Sequence, residues 1–397
     1  MTYSPPTPLK RFDQPVPSAY IHIPFCSRVC PYCDFAVVAG ADDLIDRYVS
    51  AVVSEIRRAG PWRTLGAVYI GGGTPSHIPP DRLGEILAAL QDVVGIESAA
   101  EVSMEANPED WEPAVSNGFR AAGANRVSFG AQSLNNSELV FLGRRHGPRE
   151  VTTAVRAARN SGFERVSVDL IFGSPIGSPD GGGLDHWETS LRGALDLGID
   201  HLSCYALTVE QGTPFSRAVK RGAPAPDGDI QADMWELAES LAPEFGLDRY
   251  EVSNWSEPGS ECLYNLAVWA QGEYLAYGNG ARRFVDGERS RNYRRLDAYL
   301  DAIEGVRSPV AGKEQIDGWD AELERIFLGM RRATGVAHGP GVDALLTSAE
   351  GARLVAAGVV DLVEGRLLVT RPLLTDMVER VVLDMDPPSG TVHSRVT

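Results

Sequence analysis

The chain has 397 residues and an excess of acidic side chains, with 54 aspartates and glutamates against 37 lysines and arginines, so its formal net charge is −17 at pH 7. This balance disfavours a nucleic-acid-binding protein, or one that binds anionic membranes over a wide surface, because both partners are themselves negatively charged. The length allows one large α/β domain with an appendage, or more than one domain.

Residues 1–17 are rich in proline and polar side chains and lack the apolar core of a signal peptide, so we interpret them as a flexible lead-in. No run of about 18 apolar residues is present to span a membrane. Three of the 5 cysteines are clustered, which fits a metal site in a reducing compartment better than a set of disulfides. These features predict a cytoplasmic protein without a transmembrane segment, although peripheral contact with a membrane-bound acceptor stays open.

Between residues 18 and 245, short strand patterns alternate with amphipathic helix patterns. The predicted strands are Ala19–Ile23, Ala67–Ile70, Glu101–Ala106, Arg126–Phe129, Arg165–Phe172 and His201–Leu207. Six such units in series predict an α/β fold with a parallel sheet under helices, and six units rather than eight predict a partial barrel. In such folds the chemistry gathers at the carboxyl ends of the strands.

The pattern changes beyond residue 245. We interpret residues 246–312 as a connecting segment and residues 313–386 as a small α+β domain of winged-helix type, since they contain helix patterns around a hairpin that turns at Glu364-Gly365. Residues 387–397 are predicted to be a disordered tail.

The first predicted strand runs into Cys26, Cys30 and Cys33, spaced Cys-x3-Cys-x2-Cys. Three thiolates that hold a cubane [4Fe–4S] cluster leave one iron without a protein ligand, and a small molecule can bind there. The alternative is a zinc site, with His22 or Asp34 as the fourth ligand. A c-type heme attachment does not fit, because Asp34 stands where that motif needs histidine.

Polar and glycine-rich residues follow the next strands. Gly71-Gly72-Gly73-Thr74-Pro75 lacks the ending of a Walker A loop, so it is either a backbone cradle for a zwitterion or a tight turn. Glu105, Gln132, Arg144 and Asp169 lie at or just beyond later strand ends. Each alone has an ordinary surface or capping interpretation, but together on one rim they favour a nucleoside-like ligand.

The cysteine spacing, with Tyr32 before the third cysteine, resembles the radical S-adenosylmethionine superfamily. The preceding Tyr-x-His-x-Pro-Phe sequence resembles, within it, the oxygen-independent coproporphyrinogen III oxidase family. The resemblance implies a radical SAM partial barrel with a [4Fe–4S] cluster and S-adenosylmethionine. It also implies cofactor contacts, beside the three cluster cysteines, at Tyr20, Phe35, Gly72, Gly73, Thr74, Glu105, Gln132, Arg144 and Asp169.

Two features favour the heme-chaperone branch of that family, the HemW proteins. Phe35 stands where the oxidases carry a further cysteine, and only about 19 residues precede the motif, which resembles the chaperones more than the oxidases. This branch implies heme as ligand, an unidentified heme-acceptor protein, and an electron donor such as flavodoxin or ferredoxin. The alternative is a radical enzyme, either a coproporphyrinogen III dehydrogenase or a methyl- or methylene-transferring relative.

The chaperone branch usually carries His-Asn-x-x-Tyr-Trp, linked to heme binding, and a later Gly-Ala-His. Here the corresponding residues are Tyr264, Asn265, Val268 and Trp269, followed later by Arg282 in place of the second histidine. The resemblance therefore implies heme contacts at Tyr264, Asn265 and Trp269, with Tyr264 as a candidate ligand because tyrosinate can bind ferric heme.

Overall fold

A computed structural model describes residues 13–176 and 183–387 of the chain. Most of the predicted lead-in, residues 1–12, and most of the predicted tail, residues 388–397, lie outside the described residues.

The central element is a twelve-stranded sheet whose core is parallel. Its first six strands in the chain are β1 (Ser18–Ile23), β2 (Leu65–Gly72), β3 (Ile96–Ala106), β4 (Arg126–Gln132), β5 (Arg165–Phe172) and β6 (His201–Ala206). They lie side by side in chain order and pair in parallel, so the predicted six-unit partial barrel is present. All their carboxyl ends therefore meet at one rim.

Helices cover the outer face of these strands. They are α1 (Ile45–Ala59), α2 (Pro80–Val93), α3 (Pro113–Ala122), α4 (Asn136–Phe141), α5 (Pro148–Asn160), α6 (Gly183–Leu195), α7 (Pro214–Lys220) and α8 (Gly228–Leu241). In α1 the apolar side chains recur at helical spacing and are buried, including Tyr48, Val52 and Ile56. The helix ends at Gly60, whose φ of 79° is accessible to glycine at little cost.

The two faces of the strands differ in chemistry because successive side chains point to opposite sides. On β1, Ala19, Ile21 and Ile23 belong to the apolar core under the helices. Tyr20 and His22, at the alternate positions, point into the barrel. This alternation gives the barrel a polar interior.

Residues 246–315 extend both edges of the sheet. Their strands are β7 (Asp248–Glu251), β8 (Asn254–Ser256), β9 (Tyr274–Tyr277), β10 (Arg282–Val285), β11 (Glu288–Asn292) and β12 (Val310–Gln315). The sheet order is β12-β11-β10-β9-β1-β2-β3-β4-β5-β6-β8-β7. Strand β9 pairs in parallel with β1, so it adds a seventh parallel strand that the sequence did not predict. Two helices complete the segment, α9 (Leu263–Trp269) and α10 (Leu296–Glu304).

The remaining residues have their own apolar core, which includes Ile326, Val342, Leu367 and Val378. They form α11 (Gly318–Met330), α12 (Pro340–Thr347), α13 (Ala349–Ala356) and α14 (Thr375–Leu383) around a small sheet of β13 (Val336–Ala337), β14 (Val360–Val363) and β15 (Arg366–Val369). Asp13 binds this region, since its carboxylate accepts from Arg366 Nη1 at 2.6 Å and Nη2 at 3.0 Å.

Among the described residues, no helix combines the length and the apolar character needed to pass through a membrane.

Candidate functional site

A cavity of about 390 Å³ lies at the carboxyl ends of the parallel strands. It brings together most of the residues that the sequence singled out, namely Cys26, Cys30, Cys33, Phe35, Gly72, Gly73, Thr74, Glu105, Gln132, Arg144, Asp169 and Asn265. All but Asn265, which lies on α9, come from the first five strands and the segments that follow them. The parallel topology therefore gathers them at one rim, as the fold class predicts.

The three cysteines lie on the loop after β1 and are free thiols, each partly exposed to the cavity. Cys26 ends a two-residue strand, Phe25–Cys26, that pairs with Val38–Ala39 and closes the loop. Thr74 Oγ1 donates to Cys26 Sγ at 3.4 Å, and Arg144 Nη1 lies 3.7 Å from Cys30 Sγ. Donors already point at two of the sulfurs, which suits thiolates that carry negative charge.

Burial affects the protonation of these thiols. It raises the pKa of Cys26 to about 11, against the lowering effect of the Thr74 hydroxyl, and it raises the pKa of Cys33. The thiols of Cys26 and Cys33 are therefore neutral near pH 7, and a metal that binds them must displace their protons.

Among the described residues, no three His, Cys, Asp or Glu side chains surround a single metal position. A structural zinc ion needs such convergence, with all ligands on one atom. A cubane differs, because each of three cysteines binds a different iron. A zinc ion and a cubane therefore require different arrangements of the three sulfurs.

The glycine loop after β2 packs against His22 on β1. A Cβ on Gly72 would come within 2.5 Å of His22 Nδ1, and the φ of Gly72 is +116°. The Gly72 N–H already donates to Glu105 Oε2 at 3.1 Å. A Cβ on Gly73 would lie 2.8 Å from the Pro24 carbonyl. The loop is glycine-rich because it lies directly on β1 and on Pro24, which leads into the cysteine loop.

His22 connects this contact to the cysteine loop. Its Nε2 lies 3.0 Å from the Ala36 carbonyl oxygen, which only accepts, so Nε2 carries the proton and donates. Nδ1 then accepts from the Tyr20 hydroxyl at 3.1 Å. Burial lowers the pKa of His22 to about 4, so the ring stays neutral in this arrangement.

Two carboxylates project from the strands into the cavity. Burial raises the pKa of Glu105 to about 7, while the Tyr69 hydroxyl, which donates at 2.8 Å, opposes the rise. Burial also raises the pKa of Asp169, which accepts from Ser128 Oγ at 2.8 Å. Both have acceptor capacity left for the hydroxyl or amino groups of a ligand.

Gln132 and Arg144 reach the cavity by different routes. Gln132 has a φ of 66° and lies at a break in register between β4 and β5, and such a bulge re-aims a side chain. Arg144 follows α4, and its Nη2 donates to Asn107 Oδ1 and, at 2.9 Å, to the Gly130 carbonyl. These bonds hold the guanidinium beside the cysteine loop.

Comparison with known proteins identifies this architecture. Residues 20–178 match the radical SAM superfamily. The chain is 37% identical over 378 residues to the heme chaperone HemW of Mycobacterium tuberculosis (strain ATCC 25618 / H37Rv), covering 92% of this chain and 94% of that protein. It is 33% identical to the heme chaperone HemW of Bacillus subtilis (strain 168), covering 83% and 89% respectively.

The chain belongs to the HemW family. Its fold is also similar to coproporphyrinogen III oxidase (HemN) from Escherichia coli, described as a radical SAM enzyme, with a TM-score of 0.78, 20% identity, and coverage of 94% of this chain and 92% of that one. The predicted family and the predicted radical SAM partial barrel are both confirmed.

Radical SAM proteins use a [4Fe–4S] cluster and S-adenosylmethionine, and the cavity of this HemW member fits both. Three cavity-facing thiols would supply the cluster ligands, with Thr74 and Arg144 as donors to two of their sulfurs. Glu105, Asp169 and other polar groups on the same wall suit a nucleoside with an amino-acid tail. The specific contacts of each residue stay predictions.

The structure places Tyr20, Tyr264 and Trp269 off the cavity wall. The Tyr264 ring, on α9, stacks on Tyr69 at 5.1 Å and on Tyr20 at 5.9 Å between centroids. Trp269 instead lies under the Arg331 guanidinium, 5.6 Å from its ring centroid. Helix α9 therefore fills the barrel behind the cavity, and Asn265 is the residue of this HemW segment that reaches the wall.

Tyr264, the candidate heme ligand, lies in this stack and off the cavity wall. Burial, aided by neighbouring Tyr274 and Tyr20, holds the pKa of Tyr264 well above its usual value. An iron that binds Tyr264 would have to displace this proton, as at the cysteines, and the heme contact at Tyr264 stays a prediction.

Several cavity residues were not predicted as site residues from the sequence. They are Asn107, Arg126, Ser128, His201, Ser203 and Tyr205, among others. Most occupy the inward positions of strands, two apart, and that period of two was the available signal. This spacing alone does not distinguish a site residue from any other inward-facing side chain, and no motif accompanies these positions.

Proposed function

We propose that this chain is a heme chaperone that carries a [4Fe–4S] cluster on Cys26, Cys30 and Cys33, binds S-adenosylmethionine and heme, and passes heme to an acceptor protein. The observation that carries the proposal is similarity to heme chaperones along nearly the whole chain, 92% of it in the first comparison. The bound cluster with S-adenosylmethionine supplies one-electron chemistry. The chain's own residues hold, orient and shield these groups.

Phe35 supports the chaperone over the oxidase. It lies two residues after the third cysteine, on the cavity wall, and its side chain is 64% exposed. Val29 and Tyr205, each 44% exposed, also line the cavity. Exposed apolar side chains are costly in water and commonly mark a binding surface. A planar apolar macrocycle such as heme would cover them.

The cavity wall offers heme no free histidine. His201 is its one histidine among the described residues, and its Nδ1 and Nε2 each lie 2.8 Å from a hydroxyl, those of Ser167 and Tyr250. Burial, with Arg126 nearby, keeps the pKa of His201 well below its usual value. Heme in this cavity would be held by its ring and its carboxylates, without a histidine ligand from the described wall.

The partners and the setting follow from the same proposal. Reduction of the cluster requires a one-electron donor, for which a flavodoxin or a ferredoxin is suitable. Free cysteines and a cluster site suit a reducing compartment such as the cytoplasm. The heme acceptor is a separate protein, which the chain's residues do not specify.

The test is a titration of the full chain, reconstituted anaerobically, with hemin. We expect a saturable Soret shift at about one heme per chain, and loss of that heme to an added heme-free globin. Iron and sulfide are measured on the same sample. Absence of the Soret shift in cluster-loaded protein would overturn the proposed chaperone function. Turnover of coproporphyrinogen III with release of 5′-deoxyadenosine would instead indicate the oxidase.

A further inference from the structure

Arg126 stands apart from the other charged groups of the cavity. It is the first residue of β4, at the amino end of the strand, and its side chain reaches the cavity wall from below. The residue is only 2% exposed, and its Nε has no hydrogen-bond partner among the described residues. A buried N–H without a partner is costly, so this position calls for an explanation.

Two other arginines of the chain each make several hydrogen bonds, although the Nε of Arg144, like that of Arg126, has no partner among the described residues. Arg144 donates to Asn107, to the Gly130 carbonyl and to Cys30. Arg366 donates to both carboxylate oxygens of Asp13 and to backbone carbonyls. The guanidinium of Arg126 makes no such bond to a described residue, although it is at least as deeply buried.

The carboxylates near Arg126 are engaged with other donors. Glu101 accepts from Arg165 Nη1 at 3.1 Å, from Ser103 Oγ at 3.1 Å and from the Leu263 N–H at 2.9 Å. Glu105 and Asp169, on the same wall, accept from hydroxyl and backbone donors. The charge of Glu101 stabilises the protonated arginine, which lines the cavity without a hydrogen bond to any of these carboxylates.

We infer that Arg126 binds a carboxylate of the ligand, and that this carboxylate is a heme propionate; the inference rests on the proposed function. A guanidinium is the side chain best suited to bind a carboxylate through two parallel hydrogen bonds. Heme carries two propionates on flexible arms at one edge of an apolar ring. A propionate reaches Arg126 on the floor, and the ring lies against the exposed apolar groups nearer the mouth.

Two other arginines line the same cavity, but Arg144 is already bonded to Asn107, Gly130 and Cys30, so one alternative remains for the propionates. This is Arg28, which lies on the exposed cysteine loop. A propionate bound there would stay in water, where an ion pair contributes little. Arg126 is desolvated, so a carboxylate that reaches it gains a charge-assisted bond in a low-dielectric environment.

The test compares hemin with hemin dimethyl ester, in which both propionates are blocked, on the cluster-loaded full chain. We expect the wild type to bind hemin about 10- to 100-fold more tightly than the ester, as fits the loss of a charge-assisted hydrogen bond. Arg126→Gln should bind the two ligands with nearly equal affinity, while Arg126→Lys keeps part of the preference. Iron content and thermal unfolding of each variant show whether it is folded.

The outcomes separate this inference from the proposed function. If the wild type binds neither ligand, both the proposed function and the role of Arg126 are overturned. If the wild type binds hemin and the ester equally, heme binding stands and the propionate contact is overturned. This outcome does not depend on whether Arg126→Gln folds. If Arg28→Gln rather than Arg126→Gln removes the preference, the propionate lies at the mouth and the inference is likewise overturned.

Discussion

The rim and the floor of the cavity are built in different ways. The rim comes from contiguous loops, those of the cysteines and the glycines, and its groups bond across neighbouring loops, as Thr74 does to Cys26. The floor is assembled from single residues of distant strands and helix α9, and its hydroxyls and imidazole form a closed network, such as Ser167–His201–Tyr250. The rim is open to a ligand on many sides, whereas the floor offers it chiefly Arg126.

Because the cluster depends on three cysteines of one rim loop, we expect that removal of any one of them abolishes it. In Cys30→Ala the cubane loses one of three corner ligands, so we expect iron to fall from about four per chain to nearly none after anaerobic reconstitution. The measurement is iron and acid-labile sulfide per chain.

Cys204→Ala is the matched control, since Cys204 is buried on β6 and is not part of the cavity wall. It should keep its cluster. If Cys30→Ala retained a full cluster, the assignment of the rim as the cluster site would fail.

The packing of the glycine loop on His22 predicts that Gly72→Ala strongly lowers the free energy of unfolding. The added Cβ would overlap the hydrogen-bonded His22 ring, at a φ that is unfavourable for alanine. Backbone strain and overpacking together give a loss of about 4 kcal/mol in the free energy of unfolding.

Gly60→Ala separates the two causes, because Gly60 has a φ of +79° but no atom within 4 Å of the added Cβ. It should cost only about 1 kcal/mol from the backbone term. Urea unfolding measures both variants, and equal losses would show that packing on His22 contributes nothing.

The same contrast explains what the sequence could predict. Glu105 lies next to the last residue of β3, and Asp169 lies three residues before the end of β5. The order of strands and the rule that chemistry gathers at their carboxyl ends were therefore enough to group them. The series of six strand and helix units also predicted the barrel.

The floor could not be predicted in that way. Its contacts join residues far apart in the chain, such as the Leu263 N–H to Glu101, 162 positions away. The seventh parallel strand, β9, depends on pairing with β1, and no local pattern reveals this pairing. The motif around Tyr264 predicted a heme contact there. In the structure, Tyr264 stacks with two other tyrosine rings and lies behind the cavity wall.

The buried carboxyl of Glu251 predicts that the stability of the folded protein depends on pH. Glu251 is fully buried, with one oxygen unpartnered, and burial raises its pKa to about 7 against the opposing hydrogen bond from Asn254. In the unfolded chain this carboxyl has its ordinary pKa of about 4.5, whereas in the folded chain it keeps its proton up to about pH 7. The folded state therefore binds more protons in that window, and stability falls as pH rises through it.

Replacement by an uncharged amide removes this dependence. From pH 5 to pH 8, Glu251→Gln should gain up to about 3 kcal/mol relative to the wild type. The other glutamates raised to about 7, Glu55 and Glu105, act equally in both proteins and cancel in the difference. Urea unfolding of both proteins at pH 5 and pH 8 measures this gain. If the difference in stability between the two proteins were the same at both pH values, Glu251 would be ionised in the folded protein.

The smallest expected effect concerns the link between floor and rim. Tyr20 belongs to the stacked tyrosines behind the wall, but its hydroxyl donates to His22, whose Nε2–H holds Ala36 on the cysteine loop. Tyr20→Phe keeps the ring and leaves a buried imidazole acceptor without its donor. We expect a loss of about 1 kcal/mol in stability and faster removal of the cluster by a chelator.

Tyr277→Phe provides the matched control, because the Tyr277 hydroxyl is also buried but has no hydrogen-bond partner among the described residues. Its removal should leave stability unchanged or slightly raised, since an unsatisfied polar group is lost. The pair thus separates the hydrogen bond from the mere presence of a phenol in the interior. Equal cluster lifetimes in the two variants would show that the floor does not support the rim through His22.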